Sequence, residues 1–157
     1  MQIIIQDLKE LIREFGDRLY VIPDSDFYAK PNPAKWSKIE VLGHLIDSAQ
    51  NNLRRFICGQ YESTPPLIVY DQDLWVAANN YQLAKTEGII QLWILLNERI
   101  CSILLSMEQA SYNKNCNTGR EIPRLRSLEW LAGDYVKHMK HHLNQIIPGS
   151  FNIIYPG

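Results

Sequence analysis

Prolines decide where helices can run in this chain, and they fall between, not inside, four stretches of helical periodicity. A proline in a helix interior removes a backbone hydrogen bond and clashes with the preceding turn. Pro23, Pro31 and Pro33 form one break, Pro65 and Pro66 a second, Pro123 a third, and Pro148 closes the last stretch. Between them, apolar residues recur at spacings of three and four, which marks an amphipathic helix. The first runs over residues 3–20 on Ile4, Ile5, Leu8, Leu11, Ile12, Phe15 and Leu19. The second opens at Ser37, where Ser37-Lys38-Ile39-Glu40 reads as a capping box, and is expected to run to about Ile57. The third carries Ile90, Trp93, Ile94, Leu96, Ile100, Ile103 and Leu104 between Thr86 and Met107. The fourth begins near Ser127, with Glu129 in its first turn, and ends before Pro148.

The intervening segments read as connectors. Residues 22–34 and 58–70 are expected to be irregular, and Asn113, Asn115, Asn117, Gly119 and Pro123 mark 111–125 as turn-rich. Asp71 can cap a short helix over Asp71–Ala77, between the second and third long helices. Leu67–Tyr70 is the one ambiguous extended run, and nothing alternates like a strand long enough to support a sheet. At 157 residues the chain is long enough for one hydrophobic core. A single all-α domain over residues 1–157, a four-helix bundle with a short extra helix between helices 2 and 3, follows.

The four histidines fall in two helical patches: His44 in the second helix, and His138, His141 and His142 in the fourth. At about 100° per residue, His142 lies roughly 40° from His138, inside the stripe of Leu128, Leu131, Tyr135, Met139 and Ile146. His141 lies about 60° to the other side, outside it. His138 and His142 therefore share one face, one turn apart, and two imidazoles so placed can converge on one cation. His44 sits at the edge of the second helix's stripe of Leu42, Ile46, Ala49, Leu53, Phe56 and Ile57. Three neutral imidazoles from two helices supply the protein ligands of an open catalytic metal site. Three hydrogen-bonded histidines at the core margin are the other reading that these residues leave open. Gly43, costly within a helix, suggests the close approach of a neighbour beside His44.

Other chemistries find less support. No His-Glu-x-x-His, no paired Glu-x-x-His, no Gly-x-Ser-x-Gly and no phosphate-cradling glycine loop is present. A net charge of -1 without a basic stripe gives no footprint for nucleic acid. No uncharged run approaches the roughly 20 residues that a membrane span needs. Cys58, Cys101 and Cys116 are odd in number and form no Cys-x-x-Cys pair. With no export signal at the N-terminus, these free thiols make the cytoplasm the expected location.

Trp36-Ser37-x-x-Glu40-Val41-Leu42-Gly43-His44-Leu45-Ile46-Asp47-Ser48-Ala49, with Asn51-Asn52 and Arg55-Phe56 following, resembles the first motif of the DinB family. Tyr70-Asp71-Gln72-Asp73-Leu74-Trp75 and Asp134-Tyr135-Val136-x-His138-x-x-His141-His142-Leu143-x-Gln145-Ile146 resemble the later ones. The resemblance runs from about Trp36 to Ile147. The family, DinB/YfiT-like metalloenzymes, implies a four-helix bundle holding a divalent metal, zinc or nickel foremost, on three histidines. Carried over by position these are His44, His138 and His142. The resemblance also implies a small-molecule substrate, and its characterised relatives use low-molecular-weight thiols such as bacillithiol or mycothiol.

On that footing the chain is expected to be a metal-dependent transferase or hydrolase that activates a thiol or water. No side chain is assigned as the acid or base. Asn52 and Arg55, on the polar strip past His44, are candidates to orient an anionic substrate, and Tyr135 to donate a hydrogen bond into the cavity; an Arg55 that snorkels or pairs with an acid, and a core Tyr135 with its hydroxyl at the edge, are the other readings left open. Glu40, Asp47, Asp134 and Gln145 are the candidate partners for the ligand imidazoles. The competing reading is a non-catalytic bundle that binds metal or forms a homodimer, with Trp36, Trp75, Trp93 and Trp130 available for a partner.

Overall fold

Each proline-free periodic stretch is a helix in the computed structural model, which describes residues 1–153 and Tyr155. The long helices are α1 (Gln2–Tyr20), α3 (Lys38–Tyr61), α5 (Thr86–Ser106) and α6 (Leu128–Ile146). Helices α5 and α6 each pack against both α1 and α3, so α1 and α3 lie across the bundle from one another. The buried stripes meet along the axis: Leu8, Phe15 and Leu19 from α1, and Leu42, Leu45, Ala49 and Phe56 from α3. Ile90, Trp93 and Ile100 come from α5, and Tyr135, Met139 and Leu143 from α6. Each large apolar side chain so buried contributes about 1.5–3 kcal/mol.

Helix α5 is long and apolar enough to cross a membrane by length and composition. In this fold it is a bundle helix: Ile90, Trp93, Ile100 and Leu104 face the core, while Leu92, Leu95 and Leu105 are exposed.

The helix starts follow the capping chemistry. Ser37 accepts from the Glu40 amide, and Glu40 reaches back to the Ser37 amide at 2.8 Å. Ser127 caps α6 through the Trp130 amide. The short helix between the second and third long ones is α4 (Gln72–Asn79), capped by Asp71 on the Leu74 amide at 3.1 Å.

Three features depart from the sequence reading. Residues 22–34 contain a short helix, α2 (Asp24–Tyr28), which starts directly after Pro23. A proline there has no amide proton to leave unsatisfied, and Asp24 and Asp26 complement the first turn. Helix α3 continues four residues past Ile57, carrying Gly59 as a packing position rather than a loop: a Cβ there would meet Leu128 Cδ2 at 2.7 Å. Ile57 itself points outward, 41% exposed. Thirdly, β1 (Asn115–Asn117) and β2 (Leu125–Ser127) form an antiparallel hairpin, to which Leu67 adds a parallel bridge at Asn117. The hairpin loop is held by Asn117 Oδ1, which accepts from the Gly119 and Arg124 amides at 3.0 and 2.9 Å. These three-residue strands are too short to show alternation, and they leave the four-helix bundle intact.

Candidate metal centre

His44 is positioned by two neighbours of α3. The capping box fixes where the helix begins, and Gly43 lets the Tyr81 ring lie against the backbone; a Cβ at Gly43 would stand 2.1 Å from Tyr81 Cδ2. The Tyr81 hydroxyl then donates to Asp47 Oδ1 at 2.7 Å, one turn beyond His44. Because α3 packs against α6, His44 meets the face on which α6 carries His138 and His142.

One ring nitrogen from each of the three histidines lies within 4.8 Å of the other two. His44 Nε2 and His138 Nε2 are 3.1 Å apart. Two nitrogens on one tetrahedral cation at about 2.0–2.1 Å stand roughly 3.3 Å from each other. The three rings pack edge to face, with centroids 4.5–5.0 Å apart and planes near 70°.

The outer nitrogens set the tautomers. His142 Nδ1 lies 3.1 Å from Gln145 Oε1, an oxygen that only accepts, so the proton sits on Nδ1 and Nε2 presents a lone pair. Gln145 Nε2 in turn donates to His141 Nε2 at 3.0 Å. His141 thus stands outside the cluster and holds the residue that orients His142. His138 Nδ1 faces Ser48 Oγ at 3.5 Å. His44 is 0% exposed, and its Nδ1 has no partner among the described residues. Trp36 covers its ring, with centroids 5.1 Å apart.

Burial, with the nearby imidazoles, keeps the cluster neutral. His44 is pushed down to about 3 by burial and by His142. His138 is held well below the ordinary range by burial and then by His142 and His44. His142 falls to about 4 through burial, against the Gln145 bond. Neutral imidazoles with converging lone pairs suit a divalent cation. In the absence of a cation, two Nε2 atoms 3.1 Å apart can share only one proton.

A cavity of about 760 Å³ opens beside His138 and His142. Ser48, Asn52 and Arg55 form one wall from α3, and Asp134 lines the α6 side. Asn52 Nδ2 donates to Ser48 O at 3.0 Å, and Asn52 Oδ1 accepts from Arg55 Nη1 at 3.2 Å. These two candidates do reach the cavity. Tyr135 reaches it differently from the sequence expectation: it is 2% exposed and its hydroxyl donates to Asn97 Oδ1 at 2.5 Å, a core bond to α5. Of the candidate partners for the imidazoles, only Gln145 serves one. Glu40 caps α3, Asp47 accepts from Tyr81 and Asn79, and Asp134 accepts from the Tyr155 hydroxyl.

Sequence reasoning missed Tyr155, whose ring meets His138 edge to face and His141 at a tilt, with centroids 5.5 and 5.8 Å away. It also missed Arg124 and Arg126, which the hairpin brings to the cavity rim. None of these lies in a periodic segment, so no local pattern marks them. Of the tryptophans, Trp93 is fully buried and Trp130 is 47% exposed, with Arg126 stacked on its ring at 4.5 Å.

Comparison with known proteins bears on the family and the fold. YfiT of Bacillus subtilis (strain 168), named "Putative metal-dependent hydrolase YfiT", is 26% identical over 142 residues, which cover 90% of this chain and 79% of that one. A Bacillus mycoides (strain KBAB4) protein, also named a metal-dependent hydrolase with the same qualifier, is 23% identical over 90% of this chain and 80% of its own. A solved structure of Bacillus subtilis YfiT, described as having an unusual four-helix bundle topology, superposes with a TM-score of 0.83 over 92% of this chain and 82% of that one. A mycothiol-dependent maleylpyruvate isomerase shares the fold at a TM-score of 0.70 and 9% identity, over 90% of this chain and 59% of that one. The model of the DinB superfamily matches residues 7–146, from within α1 to the last residue of α6, and the chain belongs to that superfamily.

Proposed function

We propose that the chain is a metal-dependent enzyme in which His44, His138 and His142 hold one divalent cation, zinc or nickel, and act on a small molecule in the adjoining cavity. The observation that carries this reading is the convergence of three ring nitrogens within 4.8 Å at the edge of that cavity. His44, His138 and His142 would hold the cation with a position left open, and the chemistry it would supply there is Lewis-acid activation of a water or a substrate thiol near neutral pH.

The chain's own residues do the rest. Gln145 keeps the His142 proton on Nδ1, so that its Nε2 stays free as a ligand. Trp36 shuts water away from the buried side of His44. Asn52 and Arg55 line the route from the histidines along α3 and orient the substrate. The names of the relatives favour hydrolysis, with water as the nucleophile. Transfer to a low-molecular-weight thiol uses the same centre and is the second arm of the test. The three cysteines, all free, suit a reducing compartment such as the cytoplasm.

The test measures metal content and turnover together. Protein produced with zinc or nickel should carry one equivalent, and His142→Ala should lose both the metal and any esterase, amidase or thiol-transfer activity found by screening. Activity that persists in His142→Ala would place the chemistry elsewhere. A stoichiometric metal without turnover on any of these substrate classes would favour a non-catalytic bundle.

A further inference from the structure

Arg55 is a half-buried cation whose bonds all go to neutral groups. Its Nε and Nη2 donate to the Ile68 carbonyl at 3.2 and 2.9 Å, and its Nη1 donates to Asn52 Oδ1 at 3.2 Å. Among the described residues no carboxylate comes within 4 Å of the guanidinium. Removing a charge from water without a counter-charge is costly. Burial accordingly pulls the Arg55 pKa below its ordinary value.

Tying Ile68 to α3 explains two of those bonds but not the charge, since a neutral amide donor could make them. A guanidinium has five N–H groups; three are engaged, and one on each Nη remains. Arg55 lines the cavity that opens beside His138 and His142. Arg124 and Arg126 add two cations at the same cavity from the hairpin. The opposing carboxylate, Asp134, is occupied by the Tyr155 hydroxyl at 3.1 and 3.2 Å. Burial pushes its pKa upward against the Tyr155 bond and the cations Lys137, Arg55 and Arg126, so Asp134 acts on Arg55 through space without bonding it.

We propose that Arg55 determines the cavity's specificity by receiving a carboxylate of the substrate on its two free N–H groups. The inference rests on the reading that this cavity is the substrate site of the histidine centre. Two parallel N–H donors on a planar fork match the two oxygens of a carboxylate. Arg55 follows Ser48 by two turns of α3, and its guanidinium leans back to Asn52, on the histidine side. Ser48 faces His138 at 3.5 Å. The substrate is therefore a carboxylic acid whose charge is received at Arg55 while its reacting group lies at the histidines of the same cavity.

The probes are 4-phenylbutyrate and its neutral analogue 4-phenylbutyramide, with binding to the full chain followed by ligand-observed NMR, with and without zinc. The acid should bind roughly ten-fold or more tightly than the amide, the usual worth of a hydrogen-bonded charge. That preference should persist without zinc, which separates Arg55 from direct coordination of the carboxylate. Arg55→Gln should abolish the preference, and Arg55→Lys, which retains a donor toward Ile68, should keep part of it; both should retain zinc. Equal affinity for acid and amide in the wild type would overturn the proposal without any variant, and so would a preference that survives Arg55→Gln. If zinc fails to bind while the Arg55-dependent preference stands, the metal reading falls and the carboxylate site remains. If zinc binds while acid and amide bind alike, the carboxylate site alone falls.

Discussion

Gly43 shows how a single residue can hold a site together without touching it. The Tyr81 ring occupies the space that a side chain at position 43 would need, and Tyr81 anchors Asp47, one turn beyond His44 in α3. Gly43→Ala gains about 1 kcal/mol of helix propensity, but it forces a methyl group to within 2.4 Å of three ring carbons. Overpacking of this kind costs typically 1–3 kcal/mol, so the net effect should be a loss of up to about 2 kcal/mol, read from the urea midpoint at constant slope. A gain in stability would show that the ring moves aside freely. At this scale the helical period places His138 and His142 on the face that meets His44, with His141 to its side, because the bundle core fixes which face points inward. The partner of Arg55 was not legible. Its carbonyl acceptor, Ile68, lies 13 residues away on a segment with no period to read. The acceptor of the Tyr135 hydroxyl was not legible for a related reason: a wheel gives the face of a residue, not which neighbouring helix its polar tip will meet.

Among the elements, α3 depends most on its first turn. Glu40 accepts from the Ser37 amide, the Ser37 hydroxyl and Gln82, and pairs with Lys30 at 2.8 Å. Burial alone would raise the Glu40 pKa, but the Lys30 ammonium and these donors together hold it below its usual 4.5. A carboxylate with a depressed folded-state value stabilises the fold above its unfolded value and loses that contribution as pH falls through the folded one. Glu40→Gln should therefore be less stable than the wild type at neutral pH. The gap in urea midpoint should shrink as the buffer is taken below pH 4.5, where the wild-type side chain itself becomes protonated. A gap independent of pH would assign Glu40 a role through shape alone. Starts of this kind are readable because Ser, Asp and Glu act on amides two or three residues away. The end of α3 was harder to read. Gly59 looks like a stop signal, whereas its lack of a Cβ serves Leu128 of a helix nearly seventy residues further on. The hairpin escaped notice because three-residue strands have no measurable alternation, and only pairing across the fold defines them.

At the scale of the whole molecule, a cation on the three histidines would cross-link two helices. His44 belongs to α3, His138 and His142 belong to α6, and the two helices are separated in the chain by α4, α5 and the hairpin. A cation held by all three binds the folded bundle and not the unfolded chain, in which the ligands lie 94 residues apart. Binding to the native state alone stabilises it by about 2.7 kcal/mol when the free cation is at 100 times its dissociation constant. For a domain of this size each kcal/mol corresponds to roughly 2–4 °C in Tm, so zinc should raise the transition by about 5–11 °C. A chelator should reverse the shift. His138→Ala should abolish it, because two imidazoles cannot close the link between α3 and α6. His141→Ala should retain most of it, since His141 acts only through Gln145 on the orientation of His142. An equal shift in wild type and His138→Ala would locate the cation on surface groups and detach it from the bundle core. An equal loss in His138→Ala and His141→Ala would overturn the assignment of faces on α6.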